Sequence, residues 1–151
     1  MSRGRSRKRR CIRFWRSPRG KTKARRRWLP NLAAYSVTER DGVAIIPVTG
    51  PLFRYANLFT MISGASSYEL IARDFMTALE NPQIKGIILD IDSPGGEVNG
   101  VSELSNMVFA ARGKKPVVAY ASGDAASGAY WIASAADQIV VSETSALGSI
   151  G

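Results

Sequence analysis

The 151-residue sequence contains no histidine and a single cysteine, Cys11. The first absence removes the commonest general base from any hydrolytic mechanism, so a hydroxyl nucleophile here needs another proton acceptor. The second excludes a disulfide framework and any thiolate site in the body of the chain, and it fits a reducing compartment. Long apolar runs are also missing. The longest uncharged stretch, Tyr55 to Tyr68, is too short to span a membrane and holds Asn57, Thr60 and several serines. Acidic residues are absent from positions 1–28, which carry 14 Arg or Lys, whereas residues 29–151 carry 7 basic and 12 acidic side chains. The net charge of +9 therefore averages a cationic segment with a mildly acidic body.

Such a density of like charge cannot bury itself, so residues 1–30 are expected to form a disordered basic arm and residues 31–151 the folded part. Three readings of the arm stand side by side. It contacts nucleic acid or another polyanion through residues 1–28, with Trp15 and Trp28 interleaved among the arginines; it is a solvated extension; or it is upstream sequence foreign to the mature protein. No apolar segment follows the charges as in a secretory signal. A soluble cytoplasmic protein with no membrane span is the expectation.

The body reads as alternating strands and helices. Val43–Val48 is a strand, and its Pro47 suggests an edge or a bulge. Residues 51–65 form an apolar connection with Phe53, Tyr55, Phe59, Met61 and Ile62, read as a loop packed on the core. Ser66 and Glu69 have capping-box spacing before a helix with Leu70, Ile71, Phe75, Met76 and Leu79 on one face, stopped by Asn81-Pro82. Gly86–Ile91 is nearly continuous in apolar residues, as in a strand covered on both faces. A second helix carries Val98, Val101, Leu104, Val108 and Ala111 and closes at Gly113. Strand Pro116–Tyr120, a small-residue helix from about Ala125 to Ala136 and strand Ile139–Val141 complete the pattern. This rhythm predicts an α/β fold with helices on a mostly parallel sheet.

In such sheets, sites form where strands end and turn into helices. Two of those turns carry unusual residues. Asp92-Ser93-Pro94-Gly95-Gly96 follows one strand, and its paired glycines allow close approach to backbone N–H groups. Ser122 to Gly128 follows the next, with Asp124 as a candidate helix cap and Ser127 in the first turn, where free N–H groups favour developing negative charge. Taken singly, each turn is explained by packing and capping. Taken together, they follow consecutive strands and can converge, so that the N–H groups of Gly96 and Gly128 face a carbonyl oxygen attacked by Ser127. Without histidine, lysine is the leading candidate base, because burial can lower its pKa.

Leu89-Asp90-Ile91-Asp92-Ser93-Pro94-Gly95-Gly96, Ala126 to Ala133, Ala136-Asp137 and Gly148-Ser149-Ile150-Gly151 resemble the S49 serine peptidases, which include signal peptide peptidase A and the head-maturation proteases of tailed phages. Gly42 to Leu52 is similar to the phage branch in particular, and the resemblance runs collinearly over roughly residues 35–151. It implies a ClpP/crotonase-like fold, incomplete at the C-terminus, and a Ser–Lys dyad with no cofactor or metal. Ser127 then matches the nucleophile and Gly96 and Gly128 the oxyanion donors, with the base lysine expected beyond Gly151. Lys85, Lys114 and Lys115 match no family position and read as solvated surface residues. Asp92 and Asp124 read as turn and cap residues, while Asp90 on its strand lacks an obvious partner. The function implied is that of a serine endopeptidase cleaving a scaffold or capsid-associated polypeptide in the host cytoplasm or prohead, as a homo-oligomer. The alternatives are a bacterial protease similar to signal peptide peptidase A, and a catalytically inactive fragment serving as an assembly or nucleic-acid-binding subunit. Acyl-CoA chemistry, which shares the fold, is disfavoured by the serine and by the lack of a nucleotide-phosphate site.

Overall fold

Alternation of buried and less buried positions along the central strands fixes which face of the sheet carries the core. The computed structural model describes residues 37–57 and 64–150. The basic arm and Phe59, Met61 and Ile62 lie outside the described residues. Chain order runs β1 (Thr38–Arg40), β2 (Val43–Thr49), β3 (Leu52–Phe53), β4 (Ser66–Ser67), α1 (Tyr68–Glu80), β5 (Gly86–Ser93), α2 (Val101–Ala110), β6 (Val117–Ala126), α3 (Gly128–Ser134), β7 (Gln138–Val141) and β8 (Leu147–Gly148). The main sheet has the order β1-β2-β5-β6-β7, with β8 pairing the far end of β6. Every pair in it is parallel except the β1–β2 hairpin. β3 and β4 form a separate two-stranded parallel ladder.

Ala44, Ile46 and Val48 of β2, Ile87, Leu89 and Ile91 of β5, and Val117, Ala119 and Ala121 of β6 all point to one buried face. Against them pack Ile71, Phe75 and Ala78 of α1, Val101, Leu104 and Val108 of α2, and Ala129, Ile132 and Ala133 of α3. The expectation of a sheet covered on both faces is corrected. Ile45, Ile88 and Val118 on the opposite face are only half-buried, and Tyr120 and Val140 are exposed. β-branched and aliphatic residues on both sides made a near-continuous apolar run, but among the described residues the helices cover one side. Pro47 sits in an inner strand, yet β1 pairs only Val43 to Ile45, so no described neighbour needs the N–H that proline lacks.

Three local readings shift. Helix α1 is capped by Ser67, whose Oγ accepts the Leu70 N–H at 3.2 Å; the expected Ser66–Glu69 box does not form. Ser66 is buried instead, with its hydroxyl accepting the Thr49 N–H and donating to the Thr49 carbonyl. The buried face of α1 is accordingly Tyr68, Ile71, Asp74, Phe75 and Ala78, leaving Leu70, Met76 and Leu79 half-buried. Val98 lies before α2 and is exposed. Lys115 is not a solvated surface residue, because its Nζ donates to the carbonyls of Ala78 and Asn81 at 3.0 and 2.6 Å, closing the C-terminus of α1.

Candidate active site

The site grows out of an irregularity in β6. Ile91 pairs with Ala121, but Ser93 pairs with Ala125, so Ser122 to Asp124 bulge out of the ladder. The bulge is filled by the Asp92 carboxylate, whose Oδ1 accepts the Asp124 N–H at 3.3 Å and occupies the space a side chain at Gly123 would need. Asp124 is therefore a strand residue and not a helix cap; its Oδ1 accepts the Ala146 N–H at 3.4 Å. Asp92 and Asp124 thus serve the bulge. Asp90, two residues before it, holds Oδ1 buried with no partner among the described residues.

Strand β6 consequently runs on to Ala126, and the helix expected from Ala125 begins only at Gly128. Ser127 is the single residue between them. Its backbone takes φ 52° and ψ −123°, a conformation outside the ordinary regions for a side-chain-bearing residue, at a cost of about 1–3 kcal/mol. Two bonds hold it there: the Ser127 N–H donates to the Gly148 carbonyl at 2.8 Å, and the Ser127 carbonyl accepts the Trp131 N–H at 3.0 Å. The sharp strand-to-helix turn pushes the Ser127 side chain into the open, with no side-chain capping bond.

The Pro94-Gly95-Gly96 turn comes to the same place. Leu52 of β3 clamps it, donating to the Gly95 carbonyl at 3.0 Å and accepting the Glu97 N–H at 2.8 Å. Glycine is required at both positions for different reasons. Gly95 has φ +93° and lies so close to the second turn that a Cβ would sit 2.7 Å from both the Ala126 carbonyl and the Ser127 Cβ. At Gly96 a Cβ would strike the backbone of Leu52. A Cβ on Gly128 would stand 3.9 Å from the Gly96 nitrogen, so the two N–H groups are near neighbours. Gly128 is the first residue of α3, where an N–H has no intrahelical acceptor. Among the described residues neither Gly96 nor Gly128 donates a backbone hydrogen bond to the protein.

The structure thus brings Ser127, Gly96 and Gly128 together, on one wall of an open cavity of about 490 Å³ that Val98, Val101 and Trp131 also line. Among the described residues it does not bring a lysine. Lys85 precedes β5, and Lys114 and Lys115 precede β6, whose ten residues separate them from Ser127. At about 3.3 Å per strand residue that is more than about 20 Å. Among the described residues no group of three or more His, Cys, Asp or Glu is placed to hold a metal.

Sequence reasoning missed two contributors. Leu52 falls in the apolar connection of residues 51–65, and its backbone role carries no side-chain signal. Tyr68 is the first residue of α1, and its hydroxyl donates to the Glu97 carbonyl at 2.6 Å, beside the glycine turn. Burial, and next the nearby Glu97 charge, push the Tyr68 hydroxyl up to about 12, so it stays a protonated donor.

The NfeD1b N-terminal domain family matches residues 63–151, a segment that contains both glycine turns and Ser127. The chain belongs to this family, among the S49 serine peptidases. It is 38% identical over 111 residues to the head-tail preconnector protein GP5 of Enterobacteria phage P21, covering 74% of the chain and 22% of that protein. It is 35% identical over 118 residues to the capsid assembly protease C of Escherichia phage lambda, covering 78% and 27%. The chain therefore spans about a quarter of the length of these relatives. Among solved structures, an enoyl-CoA hydratase/isomerase family member shares the fold with TM-score 0.58 at 20% identity, covering 76% of the chain and 49% of that one. The 1510-N membrane-bound stomatin-specific protease shares it with TM-score 0.55 at 19% identity, covering 72% and 47%. The S49 chain thus has the ClpP/crotonase-like α/β fold expected from its sequence. Among its described residues no helix is long and apolar enough to cross a membrane.

Proposed function

We propose that the chain carries the nucleophile and oxyanion site of a serine endopeptidase. The observation that carries this reading is the strained Ser127 turn, with the N–H groups of Gly96 and Gly128, unpaired among the described residues, beside it in one cavity. Ser127 Oγ attacks a peptide carbonyl carbon as its proton passes to a base. The carbonyl oxygen takes up negative charge between the two glycine N–H groups, each worth about 3–4 kcal/mol of transition-state stabilisation. The C–N bond then breaks, the base returns the proton to the leaving amine, and water hydrolyses the acyl-enzyme by the reverse sequence.

The base is a lysine outside the described residues. That assignment rests on the family resemblance and on the distance that separates Lys85, Lys114 and Lys115 from Ser127. The substrate is a polypeptide, and the name of the lambda relative, a capsid assembly protease, favours a scaffold or capsid-associated protein. Val98, Val101 and Trp131 in the cavity wall suit an apolar side chain beside the scissile bond. Nucleic-acid contact remains one of the three readings of residues 1–28, tested by salt-dependent binding that disappears when the arm is removed.

The experiment is cleavage of a co-expressed scaffold protein, or self-cleavage, by the full-length gene product. Ser127→Ala abolishes cleavage on this account. Unchanged processing in that variant removes Ser127 from the mechanism.

A further inference from the structure

The two turns of the site come from different strands, and something must hold their N–H groups in register. Tyr68 occupies the junction. It is only 3% exposed, and it is anchored at the start of α1 directly after the Ser67 cap. Its hydroxyl donates to the Glu97 carbonyl at 2.6 Å, one residue after Gly96. The same oxygen would stand 3.1 Å from a Cβ built on Gly128, so it lies against the first residue of α3. Its ring edge lies equally close to Gly100, where the chain turns with φ +98° into α2. One rigid side chain therefore touches the Gly96-Glu97 segment, the Gly128 backbone and the entry to α2.

Resting on the peptidase reading above, we propose that Tyr68 is a positioning residue that sets the spacing of the Gly96 and Gly128 oxyanion donors through its hydroxyl contact with the Glu97 carbonyl. The donated bond fixes the Glu97–Val98 peptide plane, just past Gly96, and leaves the Gly96 N–H free of it. Contact with Gly128 sets how closely α3 approaches that plane. A phenylalanine would keep the ring packing and lose only the bond, whose carbonyl acceptor would then be released to rotate. The burial that keeps the hydroxyl protonated also makes the bond independent of pH over the range in which a peptidase is assayed.

The test compares Tyr68→Phe and Ser127→Ala with the parent in the full-length protein, by steady-state peptide cleavage and by amide hydrogen exchange. Tyr68→Phe is expected to lower kcat about tenfold or more with KM nearly unchanged, because misplaced donors weaken only the transition state. Its Tm is expected to fall by a few degrees at most, and exchange of the Glu97 amide to rise about fivefold without change in the core of β5. A parental kcat in Tyr68→Phe, or a loss seen only in KM, overturns the positioning role while the loss of activity in Ser127→Ala keeps the peptidase reading intact. Retained cleavage in Ser127→Ala overturns that reading, and the role of Tyr68 falls with it.

Discussion

Replacing Gly95 with alanine separates two penalties that the structure assigns to this position. The backbone there has φ +93°, which costs a side-chain-bearing residue about 1–2 kcal/mol. The added Cβ also meets the Ala126 carbonyl and the Ser127 Cβ at 2.7 Å and the Gly128 nitrogen at 3.0 Å. None of these is the far end of a flexible side chain, so backbone must shift, at about 1–3 kcal/mol for overpacking of this kind. The sum is a loss of about 2–5 kcal/mol in equilibrium urea unfolding. Gly113→Ala provides the internal standard. Gly113 has φ +80°, but nothing lies within 4 Å of its Cβ position, so only the conformational penalty applies. The difference between the two variants measures the contact between the two turns. Equal losses for Gly95→Ala and Gly113→Ala would refute the convergence of Gly95 on Ser127 from which the site is built.

Arg112→Ala probes the other end of α3. The guanidinium donates to the carbonyls of Ser134, Ala135 and Ala136 at 2.6–3.0 Å and stacks over Phe109, closing the helix whose first turn carries the site. Thermal unfolding should show a loss of about 1–2 kcal/mol, and Arg112→Lys should restore only part of it because a point charge cannot serve three acceptors. Asp74 tests the buried charge in α1. Burial raises its carboxyl pKa above the ordinary 3.8, against a smaller opposing effect of Arg73. A raised folded-state pKa means that this group's contribution to stability is fully present below 3.8 and is lost as pH rises through the folded value. Asp74→Asn should therefore gain stability relative to the parent as pH is raised from acidic to neutral, measured as the difference in urea midpoints; a difference that does not change with pH contradicts it.

Much of this was readable from residue order. The aliphatic strands Val43–Val48 and Gly86–Ile91, the Asn81-Pro82 stop and the two glycine turns lie where the pattern places them, because period and punctuation are local properties of the chain. The collective geometry at Ser127 was not. Ala125 and Ala126 suit a helix as well as a strand, and only pairing with Ser93 and β8 keeps them extended. That pairing moves the helix start to Gly128 and forces Ser127 into its strained turn. Tyr68 was hidden for a similar reason: its partner is a carbonyl 29 residues away, which side-chain patterns do not encode. Lys115 read as solvent-exposed because its neighbour Lys114 and Pro116 mark a turn, while its acceptors belong to the end of α1.

The central claim is that Ser127 is an activated nucleophile facing two glycine N–H groups. The most direct measurement is reaction of the full-length protein with a fluorophosphonate, followed by peptide mapping of the adduct. The account predicts a single adduct on Ser127, absent from Ser127→Ala and retained in Ser142→Ala and Ser149→Ala. An adduct on another serine, or none on Ser127 in protein that cleaves its substrate, contradicts it.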